Sequence, residues 1–427
     1  MFSLAVLLQA ACGASTIQGS PNLIAGADRY LVVWAEGHNG TTSAIKGTFL
    51  TFDGAPATPC CLTLADNRDA PSSLVGGWNG STFLVAWQET FSGDIMALRV
   101  GSDGASLDGG NPIALATGPQ IQAQPSVASS GSEFFVTWAD AGANRSSSVL
   151  RAARVTSDGA VRVVPDPLVP PQAMPTHQGG AQLAFDGTNY LIVWDDFAAG
   201  NMLPFAGVLR TDGTMAEPPV ALTAPSPAAA VAGFSWNAET GGVLLQDSSS
   251  SGAGLALVRV QRTGAPLDQS PVPLALLNGS PDDVAIAATP TGHLVVAWEN
   301  GRLLARKVDG LGMRTDAVLA TPGRAVPGND LRLGAHVEVV VALFATTQSE
   351  SEGTWSQSLS AARIDGRTLL ATPTTASFQD AAGCSLRPRS APHDVAPWMA
   401  LIALRLLLQA RRPDTRERTA RGDRCRS

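Results

Sequence analysis

The segment Tyr30-Leu-Val-Val-Trp34 decides the fold, because it comes back. It returns as Phe83-Leu-Val-Ala-Trp87, Phe134-Phe-Val-Thr-Trp138, Tyr190-Leu-Ile-Val-Trp194 and Leu294-Val-Val-Ala-Trp298. Weaker copies are Gly242-Val-Leu-Leu-Gln246 and Val340-Val-Ala-Leu-Phe344. A second landmark keeps step with it: Asp53-Gly54, Asp103-Gly104, Asp158-Gly159, Asp212-Gly213, Thr263-Gly264, Asp309-Gly310 and Asp365-Gly366. Both landmarks count seven, at a period of about 50 residues, and such a period is the mark of a repeat architecture.

Each repeat reads as four short strands. Strand one is built of small residues, as in Pro125-Ser-Val-Ala-Ser129 and Val284-Ala-Ile-Ala-Ala288. A Gly- and Asn-rich turn leads to strand two, the apolar run ending in Trp. Strand three is an Ala/Leu/Arg/Val segment such as Ala97-Leu-Arg-Val100. The Asp-Gly pair then predicts a turn of the chain, because Asp-Gly favours the positive φ angles of tight hairpin turns. Strand four follows, as in Pro112-Ile-Ala-Leu115. Four antiparallel strands per repeat predict an all-β fold, a seven-bladed β-propeller of four-stranded blades. Small side chains in strand one suit the crowded axis. The nearly unbroken apolar run of strand two suits a strand covered on both faces by neighbouring blades. The blades are expected to start near residues 20, 69, 122, 179, 228, 282 and 329, within a domain over 20–376. The ring closes either by end-to-end packing or by Ser15-Thr-Ile-Gln18 adding to the last blade.

Composition agrees. Gly (43) and Pro (29) are plentiful and charged residues are 15%, while 44% hydrophobic residues supply a large core. The net charge of −7 hides an asymmetry. From Cys384 onward there are ten arginines and four acids, so the body is more acidic than the total. An acidic body argues against nucleic acid as a partner. Five cysteines without a CxxC pattern suggest neither a disulfide scaffold nor a zinc site. Cys60 and Cys61 read as two free thiols or as a strained vicinal disulfide.

The repeats resemble those of secreted and surface proteins of myxobacteria, in which [YF]-L-V-x-W and Asp-Gly units recur, over about residues 20–376. The C-terminal part, 377–427, resembles the MYXO-CTERM sorting signal. Gly383-Cys384 is followed by a Pro- and Arg-containing spacer, the apolar run Trp398–Ala410 and then Arg411-Arg412. Arg405 interrupts that run, and 15 residues follow Arg412. The resemblance implies processing and lipid attachment at Cys384 and display at the outer membrane or cell surface. Residues 1–19 read as a degenerate leader, and Leu8-Gln-Ala-Ala-Cys12 is similar to a lipoprotein cleavage site, with Cys12 the lipidated residue. The membrane is then met through this signal or a lipid.

Chemistry is sparse. The five histidines form no H-x-x-x-H pair and read as surface or loop residues, and Tyr30 and Tyr190 read as core. No G-x-S-x-G, P-loop or H-E-x-x-H is present. One pattern stands out: an acid follows the strand-two run in most repeats, at Glu36, Glu89, Asp140, Asp195, Asp196, Asp247 and Glu299. Loops after strand four share that face and add Asp66, Asp69, Asp282, Asp283 and Asp330. Carboxylates gathered on one face suit Ca²⁺ or a basic partner, or simply keep strand ends soluble. The strand-three arginines Arg99, Arg154, Arg259, Arg306 and Arg363 read as edge charges or inter-strand pairs. The expected function is non-enzymatic: a monomeric, surface-anchored propeller binding a protein or polysaccharide. A carbohydrate-active enzyme, with two carboxylates paired across a cleft, and a purely structural envelope protein are the alternatives.

Overall fold

The computed structural model describes residues 16–379, apart from 39–41, 58–61, 142–146, 166–167, 170–176, 199–200, 227, 248–253, 275–282, 300–301, 320–330, 352–353 and 370. The described residues hold 28 strands in seven consecutive antiparallel meanders of four. First strands are Thr16–Ala25, Pro71–Trp78, Gln122–Ser129, His177–Phe185, Ala229–Trp236, Asp283–Thr289 and Arg332–His336. Units three and four join into one sheet through a single parallel pair, Ser148 with His177. Each first strand packs against the first strand of the next unit, and Arg332–His336 packs against Thr16–Ala25. The seven units therefore form a closed ring about their first strands.

Closure is end-to-end. Thr16, Ile17 and Gln18 pair with Gly37, Glu36 and Ala35 of their own unit, so the clasp alternative is wrong. Tyr30, Val32, Trp34 and Leu50 of unit one instead share an apolar cluster with Val341, Leu343 and Ala361 of unit seven. Phe52 stacks on His336 with ring centroids 3.7 Å apart, and Arg363 Nε donates to Asp53 Oδ1 at 3.0 Å.

Strand two is covered on both faces, as its composition requires. Leu31 and Val33 belong to the cluster shared with unit two, while Tyr30 and Val32 face unit seven. Trp87, Trp138 and Trp194 likewise pack toward the unit before their own. In units five and six the phase slips by one residue. Val243 and Leu245 take the face toward unit four, and Val295 and Ala297 the face toward unit five. Trp298 points the other way, into a cluster with Leu331 and Val340 of unit seven. Alignment on the Trp was therefore wrong here, because a one-residue shift exchanges the two faces of a strand. Leu245 and Ala297 are the equivalents of Trp34, and Gln246 is not.

The turn after strand three also departs from expectation. In the first five units Gly54, Gly104, Gly159, Gly213 and Gly264 each donate N–H to the carbonyl three residues back. Only the glycine has a positive φ, between 79° and 94°; the preceding Asp or Thr does not. This is a type I turn followed by a glycine bulge, not a primed two-residue turn. In unit six the glycine is Gly312, with Asp309 as the first turn residue, so Asp309-Gly310 was a coincidence. In unit seven Asp365 opens the turn, its Oδ1 accepts from Arg367 and Thr368 N–H, and Leu369 takes the positive φ of 57°.

These turns are where the strand-three arginines act. Arg99 pairs with Asp108 at 2.6 Å, and its Nη1 donates to Ser157 O in the next unit's turn at 2.7 Å. Arg259 repeats the arrangement with Asp268 and Gly310 O, both at 2.5 Å. Arg363 reaches Asp53 in unit one. A Cβ on Gly159 would lie 2.9 Å from the Arg99 guanidinium, so this glycine serves both its φ and its neighbour. Arg99, Arg259 and Arg363 are stitches between units, not edge charges.

Candidate loop-face site

The chain emerges on one face of the ring after strands two and four of each unit. The sequence acids belong to this face, but most lie inside strand two and not in open loops. In units one to four Glu36, Glu89, Asp140 and Asp196 stand two residues beyond the Trp. Asp247 stands two beyond Leu245 and Glu299 two beyond Ala297, so the corrected phase puts six acids at one register position. Glu36, Glu89, Asp196 and Asp247 are buried.

Glu89 shows what the position does. Its Oε1 accepts from the Trp87 indole N–H at 3.0 Å, and its Oε2 accepts from Asp69 N at 2.6 Å. The Arg68 guanidinium lies 3.9 Å away. The carboxylate thus fastens the segment leading into strand one to strand two. Asp140 and Asp196 are one methylene shorter. The indole nitrogens of Trp138 and Trp194 are buried with no partner among the described residues.

Asp195 belongs to the opposite face of its strand and reaches the next unit. Both its oxygens lie 3.1 Å from Val231 N. Burial pushes its pKa up to about 7, against the pull of the Val231 N–H. Asp283 does similar work, accepting from Leu331 N at 2.6 Å. Asp66 is exposed and accepts from Asn67 N, and Asp69 accepts from Ser92 N. Asp282, Asp330, Cys12, Cys60, Cys61 and Cys384 lie outside the described residues, as do the side chain of Glu299 and the segment 380–427. Among the described residues no three His, Cys, Asp or Glu side chains converge as a metal site would require, and no helix is long and apolar enough to cross a membrane.

Among the described strand-two acids, Asp140 lines an open hollow. It is half-buried, with Arg151 Nε 3.6 Å from its Oδ2, and burial raises its pKa while Arg151 lowers it. Gln120, Ser147, Ser148 and Val149 complete a hollow of about 250 Å³. This set offers donors and acceptors to a small polar group. Asp140 was legible from the repeat; Gln120 and Arg151 were not, because they join it only through folding.

One residue overturns the expectation that every histidine is at the surface. His293 is fully buried in strand two of unit six, with Nδ1 2.9 Å from Ser235 Oγ and Nε2 3.2 Å from Thr240 Oγ1. Desolvation lowers its pKa to about 4, with Arg259 adding to the effect. A hydroxyl beside an imidazole resembles a nucleophile and its base, but catalysis needs access to substrate. Ser235 and His293 are sealed between units five and six. The pair satisfies two polar side chains in the core.

No family model matches the chain and no curated protein does. Solved structures do. A Lactobacillus plantarum protein is similar with a TM-score of 0.52 and 14% identity, over 84% of this chain and 97% of that one. A candidate 6-phosphogluconolactonase of Bacteroides fragilis gives 0.51 and 13%, over 82% and 95%. The β-propeller domain of the Trilobed protease of Pyrococcus furiosus gives 0.49 and 6%, over 87% and 100%. The ring of four-stranded antiparallel units makes the fold a β-propeller. The chain spans about half (48%) of the prolyl endopeptidase it also matches. Identities this low speak for the fold alone, since propellers host many functions.

Proposed function

We propose that this chain is a non-enzymatic binding propeller that engages a protein or polysaccharide through the face on which strands two and four end. The observation that supports this reading is the division of labour among its acids. Glu89, Asp195 and Asp283 spend their carboxylates on backbone N–H groups, which stiffens the loops, while Asp140, Arg151 and Gln120 line an open polar hollow. A stiff scaffold with an open polar recess is a binding design. Ca²⁺ binding by the acids that end strand two, Glu36, Glu89, Asp140, Asp195 and Glu299 among them, is a separate proposal.

Glycan and surface-protein arrays probed with the full chain test the reading. The wild type is expected to bind members of one array, and Asp140→Asn and Arg151→Gln to weaken that binding about tenfold, equal to 1.4 kcal/mol. Blank arrays would refute it.

The address is proposed separately, from the likeness of 377–427 to a sorting signal. Cys384 is the residue processed and lipidated, and the mature protein sits at the outer membrane or cell surface. Intact-mass measurement of the protein isolated from that surface is expected to show loss of everything after Cys384. A mature protein that retains Ser427 defeats the proposal. The Cys384→Ala variant is expected to remain longer and unlipidated.

A further inference from the structure

We propose that the loop face carries a saccharide subsite in which the Phe91 ring is a stacking platform and Asp140, Arg151 and Gln120 hold the hydroxyl groups of a neutral hexose unit. This rests on the binding reading above and narrows it to polysaccharide. Phe91 is 71% exposed at the tip of the hairpin after strand two of unit two. That tip is not loose. Gly93 N donates to Glu89 O at 2.8 Å, Glu89 N to Asp94 O at 2.9 Å, and Thr90 N to Asp69 O at 3.0 Å. Ser92 N donates to Asp69 Oδ2 at 3.1 Å. These bonds order the backbone of the hairpin and leave the phenyl ring exposed to water. A platform on an already ordered backbone costs less entropy when a ligand lands on it than one on a loose loop.

The same hairpin is bonded to the hollow. Gln122 N donates to Gly93 O at 2.8 Å, and Ala141 N donates to Ile121 O at 2.9 Å. The segment Gln120–Gln122 is therefore fixed between the Phe91 hairpin and the strand that carries Asp140. Gln120 itself lines the hollow. Asp140 and Arg151 form an ion pair at 3.6 Å, and because a carboxylate and a guanidinium each have more hydrogen-bonding sites than one such contact uses, both keep capacity for a ligand hydroxyl. One carboxylate and one guanidinium offset each other, and the chain as a whole is acidic at −7, which disfavours polyanions. A hollow of about 250 Å³ takes a single sugar ring. The side of the ring next to it would meet Phe91 through its apolar C–H face.

Affinity electrophoresis of the full chain through gels containing laminarin, dextran or alginate tests this. The wild type is expected to be retarded by laminarin or dextran and less by alginate. Phe91→Ala and Asp140→Asn are each expected to weaken retardation about tenfold, and Phe91→Trp to preserve it. Because Phe91 is exposed, its variants fold, and unchanged melting curves verify that. Retardation unaffected by Phe91→Ala and Asp140→Asn overturns the subsite. Protein-array binding without retardation by either neutral polysaccharide overturns the subsite and leaves the broader binding reading standing. Failure in both experiments removes both.

Discussion

Asp195→Asn is expected to be more stable than the wild type at about pH 8 and to lose that advantage near pH 4. Asp195 is 8% exposed, and its pKa is about 7 in the folded protein against an ordinary 3.8. A raised folded pKa contributes stability that is fully present below 3.8 and lost as pH rises through about 7. The span is about three pH units at about 1.4 kcal/mol each, so the change approaches about 4 kcal/mol before relaxation reduces it. An asparagine cannot ionise, and its amide oxygen still accepts from Val231 N–H. His293 works in the opposite sense. Its folded pKa is about 4 against 6.5, so it contributes stability above 6.5 that is lost as pH falls through about 4. The two slopes oppose each other over the middle of this range, and the wild-type profile hides both. Urea melts of wild type and Asp195→Asn at about pH 4, 6 and 8 check this. A stability difference that is the same at all three sinks the idea.

Trp87→Ala is expected to cost about 3–5 kcal/mol. Trp87 is fully buried in the seam between units one and two, with Ile45, Phe49 and Leu98 in the same cluster. Truncation opens a cavity there and takes the indole donor from Glu89 Oε1, leaving a buried carboxylate oxygen short of one partner. The phenylalanine replacements separate the two effects. Trp87→Phe loses ring volume and a hydrogen bond. Trp138→Phe loses ring volume only, because its indole N–H has no partner among the described residues. Denaturant midpoints should therefore fall further for Trp87→Phe than for Trp138→Phe. Equal falls would mean that the bond to Glu89 contributes nothing.

The repeat in strand two was enough to read the all-β fold and its four-strand units. A buried strand needs apolar residues on both faces, and that need leaves a pattern in sequence. What was not legible was phase. The runs at 242–246 and 294–298 carry apolar residues at both parities, so nothing local says which face meets which neighbour. Trp298 drew the alignment to itself and pointed the wrong way. The acids were legible as a repeated position, but their burial was not, because it depends on Asp69 N and Val231 N arriving from other segments. The arginine stitches were missed for the same reason. The partners of Arg99 and Arg259 in the next turns lie more than 50 residues away in sequence.

The seam between the first and last units has a consequence for how the chain is made. Arg363 and Asp53 are 310 positions apart, and among the described residues no strand crosses between their units. On a ribosome the first unit is finished long before its last neighbour exists. Until then the apolar side bearing Tyr30, Val32 and Trp34 has nothing to lie against. Contacts of such long separation come late in folding, and uncovered apolar strands invite association with other chains. Synthesis therefore leaves one sticky flank open for nearly the whole time of translation, and the seventh unit is what shuts it. A chain truncated before Val341 is born with that flank permanently bare.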